Sequence, residues 1–203
     1  MTFDHILERG AGPETLLLLH ATGGDEHQLL GLGRALAPAA TLLSPRGQVL
    51  EGGVARRWFA RHGVGRLDVP DLLARTDDLA AFIADATAEY DLGPMLAVGY
   101  SNGANIAASL LLRHPDALAG AALLRPMLPY EATPTLNGTP VLIAAGAFDP
   151  YPGADRLAAL LRAGGADVTE HVAQAGHELV DADLTAAARW LAGTPAAPRR
   201  AGA

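Results

Sequence analysis

The chain has 203 residues, 15 Lys and Arg against 22 Asp and Glu, and no cysteine. A net charge of −7 gives no electrostatic support for binding nucleic acid or an anionic membrane. The lack of cysteine removes disulfides, thiolate metal sites and a cysteine nucleophile together.

Half of the residues are apolar and 18% are charged, as in a folded globular chain long enough for a sizeable core. The first five residues are charged early and open no apolar run of the signal-peptide kind. The longest apolar runs fall well short of the roughly 18 residues that span a bilayer. The expectation is a cytoplasmic protein, one domain over 1–193, with a Pro/Ala-rich tail at 194–203 that reads as disordered.

In chain order, residues 3–10 read as an antiparallel edge strand. Near-continuous apolar runs at 15–21, 40–45, 95–100, 119–124 and 140–146 read as strands covered on both faces. Residues 167–173 alternate more and suit a sheet edge. Amphipathic stretches at 27–37, 71–90, 105–113, 154–163 and 183–191 read as helices, the third stopped by Pro115 and the fourth by Gly164-Gly165. Strands and helices that alternate in this way predict an α/β chain with a doubly wound, mostly parallel sheet. In such sheets the working groups collect at the carboxyl ends of the strands.

One of only three serines lies at such an end, in Gly99-Tyr100-Ser101-Asn102-Gly103. A serine between a strand and a helix with glycines two before and two after fits a nucleophile elbow, where the hydroxyl is exposed on a strained turn. The bland alternative is a tight turn whose serine caps the helix. A hydroxyl needs a base. His114 is a helix length away, about 20 Å at 1.5 Å per residue, and His171 lies within the last strand. His177 follows that strand and is the candidate base. Asp149 ends the strand before it and completes the order Ser, Asp, His.

An oxyanion needs donors. The Asn102 amide supplies one, and the loop after the first buried strand supplies the other, from Thr22 first and Ala21 second. His20, Asp25, Glu26 and His27 invite a metal reading but match no known ligand spacing, so no metal is assigned. Trp58 and Phe59, two of the few aromatic residues and outside the strands, lie in the only stretch that could form a cap. They are candidates to line a substrate pocket together with Met127 after the 119–124 strand, or else to close a secondary core under a surface loop. Arg46 and Arg125, at strand ends, could bind a substrate carboxylate or pair with a local acid.

The stretches "LLLLHATGGDEHQLL", "LLSPRGQVLEGG", "GYSNGANIAASLL", "LLRPMLP", "VLIAAGAFDP" and "GHEL" together resemble the phospholipase/carboxylesterase family of α/β-hydrolases. The likeness is greatest to the subgroup labelled carboxylesterase or hydroquinone-resistance hydrolase. It runs from about Leu16 to Leu191. It implies an α/β-hydrolase fold with little or no lid, and a serine esterase with Ser101, Asp149 and His177 as its triad. Two features depart from the family: His20-Ala21 replaces the usual His-Gly, and the loop after Asp149 is shorter.

The expected activity is cleavage of small carboxylic esters through an acyl-enzyme, without a cofactor. The same machinery would serve a thioesterase or a hydrolase of aromatic ring-cleavage products. A non-catalytic binder of quinones or other aromatics is the rival from another class. A homodimer is allowed, but no large apolar helix face is left over to build one.

Overall fold

Uninterrupted apolar runs build the sheet. The computed structural model describes residues 2–194, and the chain passes through β1 (His5–Glu8), β2 (Thr15–Leu19), α1 (Leu30–Leu36) and β3 (Thr41–Pro45). Two hairpins follow, β4 (Val49–Glu51) with β5 (Ala55–Arg57), and β6 (Arg61–Gly63) with β7 (Arg66–Leu67). Then come α2 (Val69–Tyr90), β8 (Met95–Tyr100), α3 (Asn102–Arg113), β9 (Gly120–Leu124), β10 (Pro140–Gly146), α4 (Ala154–Ala163), β11 (Asp167–Ala173) and α5 (Asp181–Gly193).

Seven strands form one sheet in the order β1-β3-β2-β8-β9-β10-β11. All are parallel except β1, which runs antiparallel to β3 at one edge. Every residue of β2, β3 and β9 is buried, because helices cover both faces. The two-residue period of a strand divides β2 between the two layers. Leu17 and Leu19 belong to one core cluster with Leu79 and Phe82 of α2, Leu110 of α3 and Leu157 of α4. Leu16 and Leu18 belong to a second cluster on the other face with Leu30 of α1 and Ala187 of α5.

The chain leaves β2 for β3 on one side and later returns to β8 on the other. The crevice at the carboxyl ends of β2 and β8 is therefore the place where the strand order reverses, and ligands bind at such a point in open α/β sheets.

The strand positions match the apolar runs, and several helix starts differ by two or three residues. Helix α1 starts at Leu30, not at residue 27, because residues 26–29 form turns. Helix α2 starts two residues early, with Asp68 accepting from the Asp71 amide. Helix α3 starts three residues early, directly after Ser101. The segment 49–67 folds as short hairpins that no periodicity announces. Among the described residues, no helix is long and apolar enough to cross a membrane. Apart from Thr194, the tail expected to be disordered lies outside the described residues.

Candidate active site

The elbow is built by steric demand. Ser101 has φ 53° and ψ −111°, a conformation that a non-glycine residue holds only when its surroundings impose it. Its amide donates to the Leu124 carbonyl at 2.8 Å, and the turn runs straight into α3. A Cβ on Gly99 would stand 2.5 Å from the Gly103 carbonyl oxygen, and one on Gly103 would run into the Leu19 and His20 carbonyls. Only glycine lets β2, β8 and α3 approach this closely, so the spacing around Ser101 is a packing requirement.

Ser101 Oγ lies 2.7 Å from His177 Nε2, and His177 Nδ1 lies 2.9 Å from Asp149 Oδ2. With the Asp149 carboxylate accepting from Nδ1–H, Nε2 is left to accept from the Ser101 hydroxyl. The second Asp149 oxygen accepts from the Tyr151 amide at 2.9 Å. The Tyr151 ring stands edge-on to the imidazole, with centroids 4.7 Å apart. Tyr100 donates its hydroxyl to the His177 carbonyl at 3.0 Å.

Arg125 holds the histidine loop. Its side chain and that of Asp183 are fully buried, 0% exposed, and form a bidentate pair at 2.9 and 2.6 Å. The remaining donors go to the carbonyls of Gly176, Glu178 and Ala144. Gly176 and Glu178 flank His177, so the guanidinium grips the loop on both sides of that residue. Those bonds also hold Arg125 at φ 56°. Arg125 thus takes the local-acid alternative and has no donor left for a substrate carboxylate.

Two backbone amides share a cavity with the Ser101 hydroxyl. The Ala21 amide donates to Gln28 Oε1 at 2.8 Å and is spent. The Thr22 amide has no acceptor among the described residues, and the Asn102 amide, first in α3, has none within its helix. Thr22, Asn102 and Ser101 line one cavity of about 370 Å³, with Gln28, Met127 and His177. A larger groove of about 770 Å³ lies at the opposite, amino-terminal ends of β8 and β9, far from this chemistry.

His20 spends both ring nitrogens on the backbone. Nδ1 bonds the Ala21 carbonyl at 2.8 Å, and Nε2 accepts from the Gly47 amide at 2.9 Å. Burial lowers its pKa below the ordinary histidine value. It is a neutral brace for the Ala21-Thr22 loop.

The pocket expected from aromatic residues is corrected by packing. Trp58 and Phe59 are 1% and 0% exposed and belong to the core. The Trp58 amide donates to Asn102 Oδ1 at 2.8 Å and its indole to the His20 carbonyl at 2.9 Å, so it braces the elbow and does not line the cavity. Arg46 pairs with Asp4 and Glu26 and is absent from the cavity lining. Met127 does line it. The wall that sequence reasoning missed comes from the hairpins, through Arg57, Arg61 and Leu67, together with Gln28, Tyr100 and Tyr151.

A family described as "Serine aminopeptidase, S33" matches residues 57–149, a span that holds Ser101 and Asp149 but stops short of His177. The putative hydrolase MhqD of Bacillus subtilis is 45% identical over 193 residues, covering 92% of this chain and 96% of that protein. The Bacillus cereus carboxylesterase superposes with a TM-score of 0.91 at 40% identity, over 95% of each chain. YahD, in its structure with malic acid, superposes with a TM-score of 0.89 at 31% identity, over 96% of this chain and 100% of that one. The sheet order, the elbow and these full-length likenesses place the chain in the phospholipase/carboxylesterase family of α/β-hydrolases.

Proposed function

We propose that this protein is a serine carboxylesterase that cleaves small carboxylic esters through an acyl-enzyme. Ser101 Oγ attacks the acyl carbon while His177 Nε2 takes its proton, and Asp149 stabilises the imidazolium that forms. The carbonyl oxygen becomes an oxyanion and accepts from the Thr22 and Asn102 amides. On collapse, His177 returns the proton to the leaving alcohol. Water then attacks the acyl-enzyme with His177 again as base, and the acid leaves with Ser101 restored.

The observation that carries this reading is the relay of 2.7 and 2.9 Å from Ser101 through His177 to Asp149, beside two unspent amides. The open cavity of about 370 Å³ suits a small ester. In this reading residues 1–193 act as one catalytic domain, need no cofactor and work in the cytoplasm.

The test is hydrolysis of p-nitrophenyl acetate and butyrate by the wild type and by Ser101→Ala. Turnover that falls by about 10⁵-fold or more in Ser101→Ala is the expected result. No turnover by the wild type, with no labelling of Ser101 by a fluorophosphonate, would replace the esterase with a binder on the same fold.

A further inference from the structure

One wall of the cavity carries unneutralised positive charge. Arg57, at the end of β5, has a side chain only 4% exposed, yet it lines the cavity. Its Nε donates to the Phe59 carbonyl at 3.1 Å and its Nη1 to Thr22 Oγ1 at 2.9 Å. Its Nη2 has no hydrogen-bond partner among the described residues.

The nearest carboxylate is Glu51, 3.7 Å from Nη1, and Glu51 is already gripped by both arms of Arg61 at 2.7 and 2.9 Å. Two guanidiniums therefore share one carboxylate. No Asp or Glu is among the described residues that line the cavity, while Arg57, Arg61 and Arg125 are. Arg125 is neutralised by Asp183, which leaves one excess positive charge on this wall, in a chain whose net charge is −7. Burial and the neighbouring Arg61 hold the Arg57 pKa below the usual arginine value, the mark of a cation short of a counter-ion. Its bond to Thr22 ties it to the loop that offers the oxyanion amide.

We propose that Arg57, with Arg61 beside it, binds a carboxylate carried by the substrate, so that the enzyme prefers small esters bearing a free acid group over their neutral counterparts. This inference rests on the esterase reading and narrows its substrate class. A planar guanidinium with an open arm suits a carboxylate, and Arg57 and Ser101 line the same cavity of about 370 Å³.

Two matched pairs place the acid on either side of the scissile bond: 4-butyryloxybenzoate against its methyl ester, and monomethyl against dimethyl adipate. The readout is the ratio of kcat/KM for the acid to that for the neutral ester, in which any general damage from a substitution cancels. The wild type is expected to favour the acid by about ten-fold or more in one pair, less so at high salt. Arg57→Gln should bring the ratio near one. Arg61→Gln should lower it as well, because Glu51 is then free to neutralise Arg57. Glu51→Gln should raise it.

A wild-type ratio of one or less in both pairs would overturn the proposal, as would a ratio unchanged in both arginine variants. Should Arg57→Gln fail to fold, Arg61→Gln and Glu51→Gln decide by their opposite signs. If no ester in either pair is cleaved, the esterase reading has failed, and calorimetric binding of glutarate then tests the carboxylate site directly. Binding weakened by Arg61→Gln supports the site, and no binding at millimolar glutarate refutes it.

Discussion

Asp183→Asn tests whether the triad is held in place by a buried ion pair. In the wild type Asp183 takes two bonds from Arg125, at 2.9 and 2.6 Å, and its Oδ2 also accepts from the Val180 amide at the start of α5. Both side chains are fully buried, so removing the charge strands a guanidinium away from water. Breaking a buried pair in this way costs about 3–5 kcal/mol. Asparagine retains one acceptor oxygen, which places the loss near the lower end, about 3 kcal/mol. For a chain of this size that lowers Tm by about 6–12 °C.

Asp183→Ala also removes the acceptor at the helix start and should cost about 1 kcal/mol more. The functional counterpart is Arg125→Met, which releases the Gly176 and Glu178 carbonyls on either side of His177. A histidine displaced by about 1 Å costs on the order of 100-fold in turnover, so kcat on p-nitrophenyl butyrate should fall by about that much with KM little changed. Urea titration and steady-state kinetics below the melting range separate the two effects. A loss under about 1 kcal/mol in Asp183→Asn would show that the pair is not the strut described. Full stability loss in Arg125→Met with kcat unchanged would show that it holds α5 and not the base.

Gly103→Ala pushes a methyl into the immovable Leu19 and His20 carbonyls and should cost about 3 kcal/mol or more, read by urea denaturation. Gly31→Ala, in α1 with nothing within 4 Å of the added carbon, should gain about 0.5–1 kcal/mol. Gln28→Ala frees the Ala21 amide and loosens the Thr22 loop, so kcat on a neutral ester should fall about ten-fold while KM holds. His20 is buried with its pKa lowered, so below about pH 6.5 the unfolded chain binds a proton that the native state refuses. Its contribution is full above that value and is lost as pH falls toward the folded pKa. The stability difference between pH 7.5 and 5.5 should therefore shrink in His20→Asn relative to the wild type.

The sheet was legible because a strand covered on both faces must be apolar without interruption, and 15–19, 95–100 and 140–146 are. Even the edges could be read, from the mixed pattern of 167–173 and the short run at 3–10. The strand-end positions of Ser101, Asp149 and His177 followed from the same logic, since chain order and topology bring carboxyl ends together. What pattern cannot supply is a partner far away in sequence. Arg125 finds Asp183 fifty-eight residues on, and Arg46 finds Asp4 forty-two residues back. Each looked equally available for a ligand until its partner was known.

The segment 49–67 shows a different limit. Hairpin strands of two or three residues are too short to establish a period, so nothing in the sequence says which side chains turn inward. Their place outside the strands suggested Trp58 and Phe59 for the pocket, but their size makes them the better residues to bury. They fill the core beneath the hairpins, and the indole and amide of Trp58 fix the His20 carbonyl and Asn102 Oδ1. That packing leaves Arg57, the residue before them, at the cavity wall. The charged residue thus meets the cavity because its apolar neighbours do not: the polarity of this wall is set by which adjacent side chains the core takes first.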